Sequence, residues 1–206
     1  TSIGGISPSP SALRQSYTVP VTVSSESGIP FGSVTVTDGV ANCGLTLTSG
    51  SGSCTLSSTS AGLKTITAHY LGFSEGGYAA SYAASSGAKD HTVEKGTTTT
   101  SIAAISPEPS VIGQAYTVSF RVASSQGIPG GSVTVSDGTA TSVCVFVGNQ
   151  FAECSLTSST MGNKTIHVTY AGDENFAGSS ATKPHTVNKA ATTTTVGVIS
   201  PEPSKR

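Results

Sequence analysis

One phrase is written twice in this 206-residue chain: Gly-Ile-Pro-Phe-Gly-Ser-Val-Thr-Val-Thr-Asp-Gly at 28–39, and Gly-Ile-Pro-Gly-Gly-Ser-Val-Thr-Val-Ser-Asp-Gly at 127–138. The copies begin 99 residues apart, too far for a solenoid repeat and about right for a small self-sufficient domain. Other matches keep the same order. Ile6-Ser-Pro-Ser-Pro-Ser recurs as Ile-Ser-Pro-Glu-Pro-Ser at Ile105 and again at Ile199, Lys64-Thr-Ile at Lys164, Tyr70 at Tyr170, and His91-Thr-Val at His185. Two tandem modules are expected over 1–95 and 96–190, with 191–206 opening a third through a truncated first strand and turn.

Composition decides what kind of module this is. Only 35% of the residues are hydrophobic, Trp is absent, and 24 Gly are spread among many Thr, Ser and Val. Thr and Val favour a pleated surface while Gly breaks helices, so short strands joined by turns are expected. Ten Lys plus Arg stand against 11 Asp plus Glu, a formal net charge of −1. No basic stripe is available to neutralise phosphates, which argues against nucleic-acid binding. No apolar run in this segment approaches the length that spans a bilayer.

Alternation places the strands. From Ala115 to Ala123, Tyr116, Val118, Phe120 and Val122 share one face, and Thr117, Ser119 and Arg121 share the other, the pattern of a half-buried strand. Val133 and Val135 point inward from the duplicated phrase, and Asp137-Gly138 ends it in a turn. Ile166, Val168 and Tyr170 form a further inward face. The Pro-rich Ser106-Pro-Glu-Pro-Ser110 interrupts the first strand, because proline cannot donate to a ladder. About seven short strands per module, punctuated by turns, predict an all-β chain of two immunoglobulin-like β-sandwiches arranged as an elongated rod.

The four cysteines fall two to a module, Cys43 with Cys54 and Cys144 with Cys154, without zinc-type spacing. Disulfides within each module and an oxidising, extracytoplasmic location are expected; a reduced buried pair is the alternative. If each pair stands directly opposed in a hairpin, the hairpin axes fall at Asn149 and between Thr48 and Ser49, both in turn-rich sequence.

Pro-x-Gly-x-Val-x-Val-x-Asp-Gly, a Cys-x-Leu strand, Lys-x-Ile-x-x-x-Tyr-x-Gly-Asp and a closing Thr-Val, in that order, resemble the bacterial Ig-like repeat domains found in tandem in large secreted and cell-surface proteins. The resemblance implies a β-sandwich that serves as a spacer or as part of an adhesin-like stalk. Repeat 1 departs from the pattern at Gly72-Phe73, where repeat 2 has Gly172-Asp173, and its next loop is longer.

Candidate sites are few. His69, His91, His167 and His185 sit at repeated strand positions and read as scaffold, so no enzyme and no cofactor are expected. Asp173-Glu174-Asn175 should face the junction between modules, with Asp90 and Glu94 approaching from repeat 1. These are weak calcium candidates, because calcium wants six or more oxygens; an acidic turn in which Asp173 caps backbone donors is the simpler account. The unshared loop 71–82 carries Phe73, Tyr78 and Tyr82 among glycines, a composition that fits contact with a glycan or protein. The alternative is that the rings fold back over the sandwich edge.

The linkers, Val93-Glu-Lys-Gly-Thr-Thr98 and Val187-Asn-Lys-Ala-Ala-Thr192, are short, so the modules should run almost directly into each other, with Gly96 softening the first junction. The reading that follows is a non-catalytic spacer of a secreted or cell-surface bacterial protein, whose partners are neighbouring repeats. The alternative is an adhesin-type module binding through 71–82.

Overall fold

The computed structural model describes residues 1–74 and 82–198. Repeat 1 contains β1 (Ser2–Ile3), β2 (Ser11–Ala12), β3 (Ser16–Thr22), β4 (Gly32–Thr37), β5 (Asn42–Leu47), β6 (Ser51–Ser57), β7 (Gly62–Tyr70) and β8 (Ser85–Glu94). Repeat 2 matches it with β9 (Thr99–Ser106), β10 (Ser110–Val111), β11 (Ala115–Ala123), β12 (Gly130–Ser136), β13 (Thr141–Val147), β14 (Phe151–Thr157), β15 (Gly162–Gly172) and β16 (Ala177–Asn188). Each repeat is a sandwich of a three-stranded and a five-stranded sheet, ordered β1-β3-β6 and β2-β8-β7-β4-β5, then β9-β11-β14 and β10-β16-β15-β12-β13. No helix long and apolar enough to cross a membrane occurs among the described residues.

The Pro-rich run divides the first strand of each sandwich. Its first part pairs antiparallel with β3 or β11, and its second crosses to the other sheet to pair parallel with β8 or β16. Proline supplies no ladder donor, so the chain leaves one sheet there and joins the other. Residues 189–198 lie outside any ladder, so the Thr192–Thr195 run forms no strand.

Alternation sets the cores. Along β11, Tyr116, Val118, Phe120 and Val122 are buried while the residues between them reach the surface. They meet Val133, Val135, Ile166, Val168 and Tyr170 from the opposite sheet, and repeat 1 repeats this with Tyr17, Val19, Val21, Val34, Val36, Ile66 and Tyr70. Each buried Val or Ile contributes roughly 1.5–3 kcal/mol by leaving water, which lets a lean core hold two sheets together.

The Asp-Gly turn does more than reverse the chain. Asp38 Oδ1 accepts from the amides of Val40 (2.9 Å) and Ala41 (2.6 Å), and Oδ2 accepts from Ser58 Oγ at 2.5 Å. Ser58 Oγ in turn lies 2.8 Å from Tyr17 OH. Asp137, Ser158 and Tyr116 form the same chain in repeat 2. The turn is thereby tied to a buried tyrosine of the other sheet.

Both disulfides form, Cys43–Cys54 and Cys144–Cys154, with Cα–Cα separations of 6.0 and 5.7 Å. They do not close hairpins within a sheet, as the sequence predicted. β5 and β13 are edges of the five-stranded sheets, whereas β6 and β14 are edges of the three-stranded ones. Each bridge clips the two layers together along one open side. Directly opposed cysteines satisfy the same Cα distance in either arrangement.

Candidate functional site at the junction of the repeats

β8 ends at Glu94, and within four residues the chain is already bonded to repeat 2. The Gly96 amide donates to Asn175 O and the Ala177 amide donates to Gly96 O, both at 2.8 Å, so the linker adds a short parallel bridge beside Phe176. A Cβ on Gly96 would lie 2.9 Å from Phe176 Cδ1 and 3.3 Å from Leu13 Cδ2. Glycine is there for close approach. The expectation that Gly96 softens the junction is therefore overturned, since its backbone is buried and bonded on both sides.

Leu13 is the apolar centre of this contact. It belongs to repeat 1, in the turn between β2 and β3, yet it packs into the core cluster of repeat 2 with Phe176. Its counterpart in repeat 2, Ile112, is 37% exposed against 2% for Leu13, so docking between repeats buries Leu13, not the turn itself. Arg14 beside it has a φ of 60°, a left-handed conformation that repeat 2 gives to Gly113, and its guanidinium lies against Gly127. Polar bonds rim the apolar centre. The Ala61 amide donates to Asn175 Oδ1 (2.9 Å), the Thr97 amide to Gln126 Oε1 (2.7 Å), and the Lys95 ammonium to Asp173 O.

The calcium candidates do not converge. Asp173 Oδ1 accepts from the amides of Asn175 (2.8 Å) and Phe176 (2.7 Å), and Oδ2 accepts from Tyr170 OH at 2.9 Å. Burial raises the Asp173 pKa, but these donors outweigh it and leave the carboxyl below its usual value. The same bond and charge, added to burial, push the Tyr170 phenol up. Asp90 Oδ1 accepts from Thr65 Oγ1 on the neighbouring strand (3.1 Å). Among the described residues no three His, Cys, Asp or Glu side chains, Glu94 and Glu174 included, group around a common point.

Of the loop aromatics, Tyr78 lies outside the described residues. Phe73 and Tyr82 form an isolated antiparallel bridge, with reciprocal amide-to-carbonyl bonds of 2.9 Å. Both rings pack on Phe31, at centroid distances of 4.1 and 5.7 Å, and both lean on the core of repeat 1. Here Tyr70 OH donates to Phe31 O at 2.8 Å, where repeat 2 uses Asp173. Phe73 thus stands where Asp173 does, and packing replaces a carboxylate in holding the loop.

The buried histidines carry the arrangement closest to catalytic chemistry. Ser110 Oγ lies 2.8 Å from His185 Nε2, and His185 Nδ1 bonds the Glu108 carboxylate, a serine–histidine–acid series. Ser110 is 0% exposed, so no substrate carbonyl can reach its oxygen. The series joins the short strand β10 to β16 instead. In repeat 1, Ser11 Oγ holds His91 Nε2 at 2.8 Å, and Ser9 occupies the place of Glu108, 3.4 Å from Nδ1.

Asn175 does face the junction, as the sequence predicted, with its Oδ1 accepting from the Ala61 amide, but sequence reasoning missed Leu13 and Phe176. A lone leucine and a lone phenylalanine in polar turns show no periodicity. Their signal was position, since both fall at the ends of modules that follow one another directly.

Two sheets joined by a divided first strand, with the sandwich repeated in tandem, define an immunoglobulin-like module. The chain belongs to the bacterial Ig-like domain (group 3) family, which matches residues 5–94 and 102–196. Among solved structures it is similar to invasin, a bacterial integrin-binding protein, with a TM-score of 0.53 and 19% identity over 90% of this chain. It spans only 39% of the invasin chain. It also matches the fibronectin(III)-like modules of Clostridium thermocellum CbhA, with a TM-score of 0.39 and 16% identity over 95% of this chain and 100% of that one. No curated protein sequence matches it.

Proposed function

We propose that this chain is a non-catalytic structural segment of a secreted or cell-surface bacterial protein, in which Ig-like repeats over 1–95 and 96–190 dock end to end and 191–206 opens a third. The burial of Leu13 in the core of repeat 2 carries this reading, because a flexible tether would leave each repeat with a core of its own. Two disulfides and the family membership support an extracytoplasmic setting. Residual dipolar couplings test the docking. One alignment tensor should fit β3–β8 and β11–β16 together, and two unrelated tensors would sink the reading.

A second reading has support at the far end of repeat 1. Phe31, Phe73 and Tyr82 form an aromatic cluster, Phe31 remains partly exposed, and invasin is an integrin-binding protein of similar fold. An adhesin-type contact with glycan or protein would use this cluster together with the loop 71–82. Phe31→Ala should then abolish binding on glycan or host-protein arrays; undiminished binding would argue against it.

A further inference from the structure

Among the described residues, the edge strand β13 carries a row of exposed apolar side chains on its outer face. Val143, Val145 and Val147 point outward, 67%, 80% and 61% exposed, and β13 is the last strand of its sheet. No charged residue occurs from Gly138 to Phe151. Natural edge strands are guarded by charge, proline, bulges or brevity, because their free amides and carbonyls invite another strand. The equivalent edge in repeat 1, β5, lacks the apolar row, since Asn42, Gly44 and Thr46 stand where repeat 2 has the three valines. The repeats share their fold and their turns, so the fold does not require the valine row.

We propose that β13 is a self-association edge, pairing antiparallel with β13 of a second copy of this chain. Three observations select that occupant. A strand edge is satisfied by another strand, and a row of three valines without charge matches an equally apolar, uncharged row, which β13 itself supplies. Antiparallel pairing about Val145 sets Val145 against Val145 and Val143 against Val147, so all six valines fall on one face. Finally, only one of the two equivalent edges is of this kind, so pairing about a two-fold axis uses it up and closes as a dimer, where two such edges would build a filament. Three valines and one strand edge make a small contact beside the ~800 Å² per partner typical of stable complexes, so weak association, in the micromolar-to-millimolar range, is expected. It would join neighbouring stalks side by side, a role separate from the end-to-end docking proposed above.

Sedimentation velocity on the whole protein, from micromolar to about millimolar concentration, tests this. The expected result is a monomer–dimer equilibrium that Val145→Lys weakens at least tenfold and Val145→Thr, which keeps the strand shape, weakens less. Amide exchange should slow along β13 at the concentrations where dimers form. A monomer throughout the range, or a dimer that Val145→Lys leaves unchanged, overturns the proposal. Because Val145 points to solvent, an unchanged circular dichroism spectrum and melting curve of the variant at low concentration separate lost pairing from lost folding.

Discussion

His91 and His185 occupy one position in two copies of a fold but face different neighbours, and the neighbours of His91 predict its behaviour in acid. His91 bonds Ser9 and Ser11 and packs on the Tyr17 ring, and burial holds its pKa below the ordinary value. Unfolded, the ring binds a proton below about pH 6.5, so repeat 1 loses stability as pH falls from there towards the folded pKa. Glu108 beside His185 is exposed but partly desolvated, which raises its pKa, while bonds from His185 and the Thr186 amide leave it net lowered, a carboxylate that His91 lacks. Ser9→Glu should import that partner and raise the His91 titration midpoint, read from its ring proton by NMR; an unmoved midpoint would refute the account. Asp137 makes the matching acidic prediction. Burial pushes it up, but Ser158 and the amides of Ala140 and Thr139 bring it down to about 2. Its contribution is present above the unfolded value near 4 and is lost as pH falls through 2, so Asp137→Asn should cost about 2 kcal/mol in urea unfolding at pH 7. The Asp-Gly pair was legible as a turn from two letters. Its bond through Ser158 to Tyr116 was not, because the partners lie 21 residues apart in either direction and no local pattern links them.

At the scale of elements, strand positions were legible and sheet membership was not. The alternation from Ala115 to Ala123 gives both the limits and the buried face of β11. It cannot say whether β13 and β14, consecutive and antiparallel, lie in one layer or face each other across the core, since inward residues alternate alike in both cases. The cysteine strands fall on the second side of that ambiguity, which changes what the bridges do. Each closes a loop of about ten residues and so stabilises by about 3 kcal/mol through the unfolded chain, whichever arrangement holds. An inter-layer clip adds a local effect that a hairpin clip lacks. Reduction should speed amide exchange along the edge strands β6 and β14, while β11 and β15 in the sheet interiors keep their protection. Uniform acceleration across both sheets would instead mean that the bridges act on the unfolded state alone.

For the whole molecule the question is what sets the angle between repeats, and the answer lies in one leucine and one glycine. A short linker predicts nearness, which the sequence showed, but not rigidity; Gly96 read in isolation is a hinge, and read against Phe176 it is the clearance for a packed joint. The two readings give opposite outcomes for Gly96→Ala. If glycine supplied freedom, alanine would stiffen the junction and leave its contacts alone. In the packed joint the new Cβ meets Phe176 Cδ1 at 2.9 Å, so the ring or the linker must move, and the bonds from Gly96 to Asn175 and Ala177 weaken with it. Gly96→Ala should therefore broaden the distribution of interdomain distances measured between spin labels on β7 and β15. Leu13→Ala, by emptying the centre of the contact at a cost of about 2–3 kcal/mol, should broaden it further and lower the unfolding midpoint of repeat 2, which borrows that side chain for its core. Ile112→Ala at the equivalent exposed position should do neither. A narrower distribution in Gly96→Ala would restore the hinge, and with it a picture of two repeats that touch without being joined.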